Sequence, residues 1–142
     1  MARFVTVGRH EYTTRQRELL RKAGLTEEVA RIPHVTSIDE VIKLAKANDA
    51  SIVVLALPFP MMIELIQKAQ RVNVDVLMFK MDDVGMERAE TVEDAKRIAE
   101  SRDADVWNYD PQSKTVRMKR TIALQKIKRF QVIFEADDIA TL

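Results

Sequence analysis

At 142 residues the chain is long enough to bury one core and too short for two, so a single domain over residues 1–142 is expected. Hydrophobic residues make up 46% and charged residues 32%, a balance that excludes a disordered chain, and a net charge of +1 argues against binding nucleic acid through bulk charge alone. The absence of cysteine excludes disulfides, thiolate nucleophiles and cysteine-ligated zinc, and with no apolar run near the roughly 20 residues of a membrane span the expected location is cytoplasmic, with no membrane partner.

The chain opens on a strand, Arg3 to Val7, followed at once by Gly8, Arg9, His10 and Glu11 in the stretch VTVGRHEYT. A helix is predicted from about Thr13 to Ala23, started by the capping-box spacing of Thr13 and Gln16 and stopped by Gly24, with Leu19, Leu20 and Ala23 on its apolar side. Glu28 to Ile32 reads as a short strand ended by Pro33. Ser37 and Glu40 repeat the capping spacing, and Ile38, Val41, Ile42, Leu44 and Ala45 give the next helix its buried stripe up to Asn48. SIVVLALP, residues 51–58, is unbroken in apolar character, which is the pattern of a parallel strand covered on both faces. Pro58 and Pro60 then open a helix that runs to about Arg71.

VDVLMFKM, residues 74–81, is a fourth strand, with Asp82 and Asp83 placed in a polar loop after it. Thr91 caps a helix through Ser101, and DADVWNYD carries a fifth strand, its Trp107 and Tyr109 on one face. The segments TVRMKRTIAL and RFQVIFEA alternate with period two, so an antiparallel extension or hairpin is expected over residues 110–135. Strands alternating with helices predict a three-layer, Rossmann-like α/β domain with a mostly parallel sheet and C-terminal antiparallel strands.

In open parallel sheets ligands bind beyond the carboxyl ends of the strands, where helix N-termini also point. On this map Gly8, Arg9, His10 and Glu11 lie there after the first strand, His34 after the second, Pro58 and Phe59 after the third, and Asp82 and Asp83 after the fourth. The chain has two histidines and both fall at such ends. Three chemistries fit. His10, Glu11, His34, Asp82 and Asp83 are ligands that suit a divalent metal, with Asp82 and Asp83 the paired acids. His10 is a candidate general acid or base, with Arg9 stabilising an anion. Gly8, Arg9 and the start of the first helix suit a phosphate held without chemistry. GxGxxG, GxxxxGK[ST] and GxSxG are all missing, which excludes the standard dinucleotide, P-loop and nucleophile-elbow sites.

Charge is unevenly placed. Residues 82–110 hold ten acids against four bases, whereas residues 111–134 hold seven bases and no acid. The basic segment supports a rival expectation, an RNA- or DNA-binding or structural module using Arg117, Lys119, Arg120, Lys128 and Arg129.

The opening strand, the GRHEYT turn, the helix ending in Gly24 and the SIVVLALP–helix–VDVLMFKM unit resemble the small Rossmann-like domains associated with CRISPR systems, the CARF group. The resemblance covers residues 3–81 and rests on layout. It implies a homodimer that binds a cyclic oligoadenylate across the strand carboxyl ends, some members cutting it, with Gly8, Arg9, His10, Leu57, Pro58 and Phe59 at the positions used. The resulting expectation is a binder of a nucleotide or other phosphorylated ligand, with phosphodiester cleavage by His10 and Arg9 as its enzymatic form.

Overall fold

The computed structural model describes residues 2–131, 133 and 135–142. Over these residues strands and helices follow in the order β1 (Ala2–Val7), α1 (Thr14–Lys22), β2 (Leu25–Ile32), α2 (Ile38–Ala47), β3 (Ala50–Val54), α3 (Phe59–Arg71), β4 (Val76–Arg88), α4 (Val92–Ser101), β5 (Val106–Asp110) and β6 (Thr115–Lys126). They build one six-stranded sheet in the order β2-β1-β3-β4-β6-β5. β2, β1, β3 and the start of β4 are parallel, whereas β6 runs antiparallel to both β4 and β5, so the fold is mixed α/β. No helix among the described residues is long and apolar enough to cross a membrane.

Alternation along the parallel strands assigns their two faces to different helices. Val5, Val7, Ile52 and Val54 join Val41 and Ala45 of α2 and Leu65, Ile66 and Ala69 of α3 in one core cluster. The intervening residues Phe4 and Val53 pack with Tyr12 and with Leu20 of α1 in another. Ala95 and Ala99 of α4 cover Val116 and Met118 of β6, flanked by Trp107 and Tyr109 as the shared face of β5 predicts. α2, α3 and α4 are followed by Asp49, Asn73 and Asp103 in the left-handed region, at φ 50, 57 and 53°. Short polar side chains tolerate that conformation, so these helices stop without glycine.

Two expectations are corrected. β4 does not end at Met81 but continues to Arg88, pairing with β6 along its whole second half. Asp and Gly disfavour strand, which hides the continuation in sequence; irregular register between Lys80 and Met81 and between Asp83 and Gly85 accommodates them. The second half of the expected C-terminal hairpin, RFQVIFEA, carries no strand at residues 129–131, 133, 135 and 136, and Val132 and Phe134 lie outside the described residues. The partners of β6 are instead β4 and β5, which come before it in the chain.

Candidate functional site

The parallel order β2-β1-β3 brings the ends of three strands to one rim. Gly8, Arg9, His10 and Glu11 leave β1, Pro33 and His34 leave β2, and residues 55–58 lead from β3 into α3. The chain passes from β1 to β2 on one side and from β2 over to β3 on the other, so β1 and β3 flank the point where strand order reverses. A crevice outside such a point is the usual ligand position in open α/β sheets.

Gly8 stands at the end of β1, beside β3, for a steric reason. Its N–H donates to the carbonyl of Ile32 at 2.9 Å, and the N–H of Leu55 donates to the carbonyl of Val7 at 2.8 Å, so the backbones on either side are pinned. A Cβ at Gly8 would lie 2.9 Å from Cβ of Leu55 and 3.2 Å from N of Ala56, and φ is +132°. Only glycine fits both demands.

Arg9, His10 and Glu11 are exposed, as is His34. Among the described residues none of these four side chains makes a hydrogen bond or ion pair, although their neighbours are densely tied. Arg31 of β2 donates to the carbonyl of His10 at 2.6 Å and to Glu28 at 3.1 Å, and lies 5.2 Å from the ring centre of Tyr12. Thr6 donates to Glu28 at 2.6 Å and meets the Tyr12 hydroxyl at 2.5 Å, which leaves Tyr12 as the donor of that bond because Thr6 has one proton. Burial, with the nearby Glu28 charge adding to it, pushes the Tyr12 phenol up to about 12 against the opposing pull of Arg31. The rim loop is thus clamped by its backbone while its polar side chains stay free. Sequence reading does not single out Arg31, Thr6 or Tyr12, since the clamp joins two strands and a loop that only topology brings together.

The helix N-termini at the rim differ. α1 is occupied: Thr13 accepts from the N–H of Gln16 at 3.2 Å, Gln16 accepts from the N–H of Thr13 at 3.1 Å, and the Thr13 hydroxyl donates to Asp105 at 2.6 Å. A carboxylate therefore lies against Thr13 at the start of α1, where the sequence reading puts a phosphate. Asp105 also accepts the N–H of Thr121 at 2.8 Å. Burial raises its pKa, but the bonds from Thr13 and Thr121 outweigh that and hold the carboxyl below its ordinary value. α3, in contrast, starts at Pro58 with no side-chain cap and no acid in its first turn. Pro60 removes one N–H from that first turn, and Phe59 there is 65% exposed, its ring edge-on to Phe130 at 5.5 Å.

Asp82 and Asp83 are not at the rim. They are consecutive residues inside β4, opposite Arg120 and Lys119 of β6, so their side chains leave on opposite faces and share no metal site. Among the described residues no three acids or histidines gather as metal ligands. The basic segment is also divided. Arg117 and Lys119 are exposed on one face of β6, but Arg120 turns to the other and donates to the carbonyls of Arg102 at 2.6 Å and Asp103 at 2.9 Å. Lys128 and Arg129 lie beyond β6, and the Lys128 carbonyl accepts from Gln70. A cavity of about 630 Å³ opens between the start of α4 and β5, lined by Val92, Trp107, Tyr109 and Pro111 among others. A second, of about 330 Å³, lies between α1 and β2 and touches the rim loop at Tyr12. Neither is lined by Arg9, His10, His34 or Asp82.

No family model, curated protein or solved structure matches this chain.

Proposed function

We propose that the protein binds a nucleotide or other phosphorylated ligand at the carboxyl rim, with the phosphate in the crevice between β1 and β3. The observation that carries this reading is that Arg9, His10 and His34, which among the described residues have no side-chain partner, follow strand ends on the rim from which the uncapped α3 starts. Together they supply a guanidinium, two imidazoles with ring N–H donors and free backbone donors, which is the chemistry an anion needs. Phe59 adds an exposed ring for a base. The parallel half is read as a Rossmann-like unit and the antiparallel half as its extension. Binding is the assigned activity; were the ligand consumed, Arg9 would neutralise the phosphodiester and His10 would move the proton. A cyclic oligonucleotide and a homodimer are the forms of ligand and assembly that the CARF-like layout suggests.

A thermal-shift series with ADP, pyrophosphate, cyclic oligoadenylates and divalent metals tests this. A ligand at a hundred times its Kd should stabilise the protein by about 2.7 kcal/mol, and Arg9→Ala should abolish the shift while leaving the ligand-free Tm in place. Stabilisation that survives Arg9→Ala would refute the assignment.

A further inference from the structure

We propose that the free edge of β5 docks a second copy of this chain, the two β5 strands pairing antiparallel about a two-fold axis at Asn108. The proposal gives the homodimer of the preceding reading a surface and uses nothing at its ligand rim. β2 and β5 are the outer strands of the sheet, and a free strand edge is a row of backbone donors and acceptors that a folded protein has to guard or use. β2 is guarded: two register shifts against β1 leave extra residues in it, and Glu27, Glu28 and Arg31 place charge along it. β5 carries neither device. Val106–Asp110 pairs with β6 through five consecutive residues with no shift, holds no lysine, arginine or proline, and has its one charge at the last position. Among the described residues β6 is its sole strand partner.

The side chains of β5 select a second copy as the occupant. A two-fold axis perpendicular to the sheet relates two copies of one edge strand as an antiparallel pair. Centred on the middle residue, Asn108, that pair sets Asn108 opposite Asn108 of the partner subunit, Trp107 opposite Tyr109 of the partner subunit, and Asp110 opposite Val106 of the partner subunit, so aromatic rings meet and like charges do not. The aromatic pairs fall on the α4 side, where the Tyr109 hydroxyl is held at 2.9 Å from the carbonyl of Ala89 and 3.0 Å from that of Glu90. On that side the strand borders the cavity of about 630 Å³, lined by the exposed Val92 together with Trp107, Tyr109 and Pro111. Pairing brings a second set of the same apolar groups against it and takes this surface out of water. An edge of five residues a side is small for a stable complex, so association is expected in the micromolar range.

Two ligand-free measurements on the full chain test the edge. Sedimentation over about 1–200 μM protein should show a monomer–dimer equilibrium, and emission from Trp107, the single tryptophan, should move to shorter wavelength as the dimer fills. Because the axis sets residue 108 against itself, Asn108→Lys alone and Asn108→Asp alone should each weaken association at least about tenfold by placing like charges opposite, and an equimolar mixture of the two should associate again as a heterodimer. Thr26→Lys, on the β2 edge, should leave association unchanged. A chain still monomeric at about 200 μM, a dimer indifferent to both Asn108 variants, or a mixture no tighter than its components would each overturn the proposal. The second measurement needs no variant. Hydrogen exchange at the outward amides of Val106–Asp110 should slow at least about threefold from the low to the high end of that range, while Leu25–Ile32 keeps its rates; rates in β5 independent of concentration would overturn the edge. Arg9-dependent binding of pyrophosphate is measured apart, on the Asn108→Lys monomer, so that the dimer and the rim site can fail separately.

Discussion

Replacing Gly8 by alanine separates a glycine needed for packing from one needed for a ligand. Two costs are set by the structure. The φ of +132° is one that L side chains rarely adopt, at about 1–3 kcal/mol. The new Cβ would also lie 2.9 Å from Cβ of Leu55, an atom with no rotamer to escape into, and overpacking of this kind costs about 1–3 kcal/mol. Reduced entropy of the unfolded chain returns roughly 0.4–1 kcal/mol. The net loss is about 3 kcal/mol, or roughly 10 °C in Tm for a domain of this size. Gly85→Ala is the internal control, because φ there is +128° but nothing lies within 4 Å of the added Cβ. It should lose only the backbone part, about half as much. Differential scanning calorimetry without ligand reads both. Equal losses at the two positions, or a drop of under about 3 °C for Gly8→Ala, would refute the close-approach argument.

Asp105→Ala removes the carboxylate that ties Thr13 to Thr121 and should cost about 2 kcal/mol in urea unfolding at pH 7, somewhat under the sum of two bonds to a charged acceptor because the group is partly exposed. Its folded pKa is lowered, so the gap to the unaltered protein should be complete above the unfolded aspartate value of about 3.9 and should close as pH falls through the lower folded value; a gap independent of pH would contradict the carboxylate's role. Tyr12→Phe should cost about 1 kcal/mol through the lost bond to Thr6 and should remove from the ultraviolet titration a phenol that ionises only near pH 12. Because that folded value is raised, the contribution of Tyr12 is complete below about pH 10 and is lost as pH rises through about 12. Arg120→Ala should lower Tm by about 3–6 °C, having lost two bonds to the carbonyls at the end of α4, whereas Lys119→Ala, exposed on the opposite face, should leave Tm within about 1 °C.

The parallel half was readable because its signals are local. Capping spacings at Thr13 and Ser37, prolines at the start of α3 and the unbroken run after Ala50 each act within a few residues, and each marks an element that is present. The antiparallel half was less so. A strand that crosses Asp82, Asp83 and Gly85 is held by eleven residue pairings between β4 and β6, and no local propensity announces a partner some forty residues away. RFQVIFEA shows the converse, since alternation is necessary for a strand and not sufficient without an edge to join. The candidate site divides along the same line. Arg9, His10 and His34 could be placed at strand ends from sequence, whereas the Arg31 clamp and the occupation of the α1 N-terminus by Asp105 depend on contacts across strand order.

The uneven charge of the chain acquires a different meaning once the topology is known. The acidic stretch forms the second half of β4, α4 and β5, and the basic stretch forms β6, which the sheet order inserts between β4 and β5. Lys119 therefore stands opposite Asp83, Lys114 reaches Glu90 at 3.1 Å, and Asp103 binds Arg15 at 2.6 Å with Arg120 at 3.7 Å. Two blocks that would each repel themselves in the unfolded chain complement one another in the sheet. Such exposed pairs add little energy singly, but they favour β6 in the middle position over a hairpin with the segment that follows it, whose acids would leave the basic strand paired on one side only. A polarity that suggests an external polyanion is thereby met in part within the molecule, through Lys114, Arg120 and Lys126, whereas Arg117, Lys119, Lys128 and Arg129 have no ion pair among the described residues.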